Sequence, residues 1–145
     1  ATTLSNAGMS AYINKTHQAV LLKLSTTTKT KGAEVYQQTI KQKSSVANTA
    51  VGLWIDGKPT LALYLMGEAC KANPANAINL NNYASILTMC GAEQVALPIL
   101  SNLNKRYPKN SSILNNITQA WLGLGVRPPT WCSACSRLRP RRWRR

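Results

Sequence analysis

A spaced set of residues at 43–76 recurs in the same order at 77–110, and no other feature restricts the fold so tightly. Setting one stretch over the other gives nine identities: Asn48/Asn82, Ala50/Ala84, Leu53/Leu87, Gly57/Gly91, Ala62/Ala96, Leu63/Leu97, Lys71/Lys105, Pro74/Pro108 and Asn76/Asn110. Residues 111–125 continue the register with Leu114, Asn115, Asn116 and Gly125, making two copies and a partial third. A fixed period of this size is the mark of stacked supersecondary units, none of which can bury its apolar face alone.

Inside each copy an apolar helical pattern runs to a glycine, and a second runs on to a proline. Gly57 and Gly91 suit the turn between two helices, because a residue without a Cβ takes positive φ at no steric cost. Pro74 and Pro108 suit the entry to the next helix, where a missing N–H costs nothing. Each copy is therefore expected to be a helical hairpin. Ala50 is placed opposite Ala62 and Ala84 opposite Ala96, with Leu53, Met66, Leu87 and Leu100 filling the space around the small residues, as close-packed helices require.

These positions resemble the tetratricopeptide repeat, a signature of large, small and proline positions spread over about 34 residues. The second copy reads Leu80-x-x-Tyr83-Ala84-x-x-Leu87, then Ala96-x-x-x-Leu100, then Pro108. The first reads Val46-x-x-Thr49-Ala50-x-x-Leu53, then Ala62-x-x-x-Met66-x-x-Ala69, then Pro74. Val46, Leu80 and Leu114 stand where the family has a leading tryptophan. The resemblance implies an all-α fold, an α-solenoid of hairpins at 43–76, 77–110 and, in part, 111–125. Residues 1–42 precede it as a polar segment and capping helices, and residues 126–145 follow as an Arg/Pro/Trp-rich tail.

In the capping region a first helix is expected over 10–24, carrying Ile13, Val20, Leu21 and Leu24. The β-branched run at 25–31 should interrupt it. A second is expected over 33–43, burying Val35, Tyr36 and Ile40, and the pair should cap the open edge of the first repeat. In the partial third copy, Leu114, Ile117 and Trp121 should form the inner side. His17, alone on the first helix, is read as a surface or half-buried imidazole without a functional role.

Charge divides the chain. The net +14 splits into +7 for residues 1–125 and +7 for the last twenty, where seven of the eight arginines lie. All four acids, Glu34, Asp56, Glu68 and Glu93, lie earlier. Such a tail, with Trp131 and Trp143, has the composition to neutralise phosphates and stack on bases. Its abrupt loss of Asn, Lys, Asp, Glu and Ile is also what a GC-rich stretch read in a shifted frame produces.

Trp131-Cys132-Ser133-Ala134-Cys135 matches a thioredoxin-type redox motif but lacks the βαβ context that chemistry needs. As zinc ligands, Cys132 and Cys135 form half a set.

Four scattered carboxylates and one histidine assemble no nucleophile–base pair, metal cluster or phosphate-binding glycine loop, so a non-enzymatic protein without cofactor or metal is expected. No run of eighteen apolar residues spans a membrane. Cysteines isolated on helices point to a reducing compartment, the cytoplasm; a leader removed ahead of Ala1 would leave the same sequence.

The resemblance places the first helix of each hairpin on a concave wall. There Asn48, Asn82 and Asn116 recur at the full period, beside Val51, Asn81, Ser85, Asn115 and Gln119. Carboxamides both donate and accept, so such a ladder suits the backbone of an extended peptide, or else bonds neighbouring helices. Some members of the resembling family clamp acidic C-terminal peptides with added lysine or arginine. Ala47, Val51, Asn81 and Ser85 occupy those places here, which favours a neutral or mixed peptide. The expected role is a protein-interaction scaffold, with nucleic-acid or anionic-surface binding through the tail as the alternative.

Overall fold

The computed structural model describes residues 4–126; the basic tail, with its cysteine pair, lies outside them. Seven α-helices and no strand occur among the described residues: α1 Asn6–Lys23, α2 Thr26–Lys41, α3 Val46–Ile55, α4 Pro59–Ala72, α5 Ala77–Met89, α6 Glu93–Arg106 and α7 Ser111–Val126. From α3 onward each helix packs on the next, α3 also touches α5, and α5 touches α7. Helices α1 and α2 both pack on α4. No helix among the described residues is long and apolar enough to cross a membrane.

The sequence period is a period of helices. Helices α4 and α6 begin at Pro59 and Glu93, equivalent positions of the two copies, and α5 and α7 begin at the equivalent Ala77 and Ser111. Helix α3 begins at Val46, one turn inside the expected start of its copy, where Ser45 accepts the backbone N–H of Asn48 and fixes the terminus.

The two inter-helix turns are built alike. Gly57 (φ 74°) and Gly91 (φ 86°) take the left-handed conformation. The following residues, Lys58 and Ala92, donate to the carbonyls of Leu53 and Leu87, closing the helices with Schellman hydrogen bonds. The end of α2 does the same with a side chain present: Lys43 sits at φ 56°, and Ser44 donates to Thr39.

The prolines act differently from the expectation. Pro74 and Pro108 lie in the linkers rather than in first turns, and they terminate the preceding helix. A proline pushes the residue before it out of the helical region, and Asn73 and Tyr107 adopt φ −142° and −132°. Two residues later Asn76 and Asn110 cap the next helices, accepting the backbone N–H groups of Asn79 and Ile113 at 3.0 Å. The repeated Pro-x-Asn is thus a stop followed by a start. Pro59, by contrast, does occupy the first turn of α4.

One continuous core runs from Met9 to Ala120. The four alanines Ala50, Ala62, Ala84 and Ala96 are fully buried, as are Met66, Leu87 and Leu100, while Leu53 is half-buried. Removing a side chain of Leu size from water is worth roughly 1.5–3 kcal/mol, so these positions hold the hairpins together.

The N-terminal region departs most from the sequence reading. The β-branched run does not break the chain into a loop; it forms the first turns of α2, because Ser25 caps them by accepting from Thr28. Capping and tertiary packing outweigh the weak helix propensity of threonine. Helix α2 buries Gly32 and Thr39, whereas Val35 and Tyr36 are only half-buried and Ile40 is 49% exposed. A Cβ at Gly32 would lie 2.7 Å from the Tyr64 ring, so the missing side chain sets how closely α2 approaches α4.

Helix α1 lies against α4 and reaches α6, rather than pairing with α2. The Tyr12 hydroxyl donates to the Val95 carbonyl at 2.8 Å, and Arg106 donates to Asn6 Oδ1 at 3.2 Å. In α7 the buried positions are Ile113, Ala120 and Gly123, while Leu114 and Trp121 are 42% and 60% exposed and Ile117 is half-buried.

Candidate functional site

Helices α3, α5 and α7 contain no Lys, Arg, Asp or Glu. Every charge in the described residues sits on the other four helices or in the connecting segments. The uncharged helices carry all eight residues singled out from the sequence. Asn48 and Asn115 are exposed; Val51, Asn81, Asn82, Ser85, Asn116 and Gln119 are half-buried.

Part of the carboxamide ladder is internal structure. Asn116 Nδ2 donates to Asn81 Oδ1 at 2.9 Å, and Asn81 Nδ2 donates to Ser112 Oγ at 3.0 Å, forming a directed chain between α5 and α7. Such a chain fixes the orientation of both amides and leaves Asn116 Oδ1 as an acceptor. The side chains of Asn48, Asn82 and Asn115 make no hydrogen bond among the described residues. At the N-terminal end of these helices an open depression of about 560 Å³ is lined by Ile78, Asn81, Asn82, Asn110, Ser112 and neighbours. Ile78 is 74% exposed beside it. The sequence located these amides on shared helices, but both bond partners of Asn81 lie on α7, and Ser112 was not foreseen.

Comparison with protein-family models, with curated proteins and with solved structures returns no match.

A second cluster escaped the sequence reading. His17 is fully buried, in contrast to its expected surface or half-buried position, and its Nε2 lies 3.1 Å from Glu68 Oε1. Its ring packs over Gly67, where an added Cβ would fall within 2.4 Å of ring atoms, and meets the Tyr64 ring edge-on at 6.0 Å. Burial pushes the imidazole below its ordinary pKa of 6.5, Lys71 adds to this, and the Glu68 carboxylate opposes it. The available signal was the interior glycine of α4: a Gly inside a strong helix marks a close approach. Glu68 sits three helices further along the chain from His17 and is invisible to any spacing rule.

Burial raises the Cys70 thiol to about 12, so this cysteine is a small core residue rather than a nucleophile. Among the described residues no three His, Cys, Asp or Glu side chains gather where they could hold a metal ion.

Proposed function

We propose that the chain is a tetratricopeptide-like array of hairpins and that the face formed by α3, α5 and α7 is the concave wall of a non-enzymatic interaction scaffold, which takes an uncharged extended segment of another protein. The observation that carries this reading is the absence of charge from those three helices in a chain of net charge +14. A wall of amides and hydroxyls offers donors and acceptors to a peptide backbone without selecting for a charged side chain. The recurrence of helix starts at the sequence period supports the array, and the unbonded amides of Asn48, Asn82 and Asn115 supply its contacts.

Partners captured on the immobilised full chain should be retained when sodium chloride is raised from about 50 to about 500 mM, because amide contacts are screened little. They should be lost when Asn82→Arg brings charge onto the wall. Loss of all partners at high salt, with indifference to Asn82→Arg, would defeat the reading. That result would favour the second one, phosphate binding by the seven arginines of the tail, which weakens steeply with salt.

A further inference from the structure

Because α5 and α7 begin at equivalent positions of successive copies, each position on α7 has a counterpart on α5. Leu80, Tyr83 and Leu87 of α5 are fully buried, yet their counterparts Leu114, Ile117 and Trp121 are 42% exposed, half-buried and 60% exposed. The cause is visible in the packing. Helix α5 has α6 lying against it, whereas no helix follows α7 among the described residues. The same holds one layer across: Leu63 of α4 is fully buried and its counterpart Leu97 of α6 is half-buried. Leu97, Pro98, Ile117 and Trp121, with Tyr12 of α1 and Leu4 just ahead of it, line an open groove of about 700 Å³ with no charged side chain along it.

We propose that this groove docks an amphipathic α-helix of another protein whose outer face is acidic. The helical form follows from the equivalence. In the preceding copy helices cover both counterpart walls: α6 lies against α5, burying Ala96, Ile99, Leu100 and Leu103, an i, i+3, i+4, i+7 face, and α1 lies against α4, with His17 over Gly67 and Tyr64, the counterparts of Ser101 and Pro98. The acidity follows from charge. Arg106 stands at the Leu4 end of the groove, bonded to Asn6, and Lys105 precedes it on α6. Three of the four acids are already committed: Glu34 pairs with Lys31, Glu68 with His17 and Lys71, and Glu93 is buried. A second copy of the chain, or its own residues 127–145, would bring positive charge to positive charge; an acidic helix meets its complement. Trp121 is the anchor, a large apolar side chain poised to be desolvated.

The test is fluorescence anisotropy of a labelled synthetic helix, equal in length to α6, that keeps the apolar face of α6 and carries Glu at every outward position, titrated with the full chain. Binding is expected to weaken at least about tenfold with Trp121→Ala, and with Trp121→Gln as a second variant. It should weaken at least about tenfold when the outward positions of the probe are Lys. It should be unchanged by Ile55→Ala, an exposed position on α3. Failure of the acidic probe to bind, equal binding of acidic and basic probes, or binding indifferent to both Trp121 variants overturns the proposal. Two further outcomes also overturn it by naming another occupant. One is a dimer of the chain in sedimentation equilibrium that dissociates with Trp121→Ala; the other is a gain in probe binding of about tenfold or more on deletion of residues 127–145.

Discussion

At Gly67 the identity of one residue decides whether α1 can lie where it does. A methyl group there would fall 2.1 Å from His17 Nδ1, and the imidazole is held from its other side by Glu68. Gly67→Ala should therefore lower stability by about 1–3 kcal/mol through overpacking, despite the better helix propensity of alanine. Gly52→Ala is the matched control. Nothing lies within 4 Å of a Cβ at Gly52, so thermal melting should show a gain of about 0.5–1 kcal/mol. His17 itself makes stability depend on pH. Its folded-state pKa is depressed, so the unfolded chain binds the proton more readily, and stability rises with pH wherever that difference exists. Stability should be greatest above about pH 6.5 and decline below it. The slope arising from this site should vanish in His17→Gln, as denaturant titrations at several pH values would show. The groups facing the imidazole are Glu68, Lys71 and Tyr64 of α4, and Glu68 limits the decline by stabilising the protonated ring. No local rule could have found this cluster, because α1 and α4 meet through tertiary packing and belong to no common hairpin.

Helix ends carry the repeat more faithfully than helix faces do. Asn76 and Asn110 cap α5 and α7 with the same bond at the same distance, and replacing either with Ala should cost about 1 kcal/mol in thermal or denaturant unfolding. The end of α2 offers the opposite change. Lys43 occupies a left-handed conformation that Gly57 and Gly91 occupy without strain, so Lys43→Gly should stabilise the chain by about 0.5–1 kcal/mol in equilibrium unfolding. These features were legible in part. The glycine turns follow from a local rule and the structure has them, with φ positive as expected. The prolines were placed correctly but assigned to the wrong helix end, since Pro-x-Asn reads as a start when its first effect is to stop what precedes it. The threonines at 26–28 misled for a related reason: propensity is a weak term that one Ser25 cap reverses. Buried Thr39 and Thr88 satisfy their hydroxyls on the carbonyls of Val35 and Ala84 four residues back, a solution no hydrophobic pattern reveals.

The whole molecule is tied across its length. The core is continuous from Met9 to Ala120, and α1 is bonded to α6 through Tyr12 and Asn6, so the N-terminal helix clasps the second hairpin as well as the first. Denaturant unfolding should then be concerted, with tryptophan fluorescence and far-UV circular dichroism giving coincident transitions. Separate transitions would show α7, whose outer face no described helix covers, leaving first. From the sequence alone the helical class, the periodic succession of helices, the glycine turns and the lack of cations at Ala47, Val51, Asn81 and Ser85 were determined, because each rests on residue identity, on interactions within a few residues or on strict periodicity. The tertiary structure alone decided where α1 lies, that His17 is buried against Glu68, that Asn81 and Asn116 bond each other, and which face of α7 no described helix covers. Those outcomes depend on residues 35 to 100 positions apart, whose meeting is fixed by how finished helices pack and is written in no local pattern.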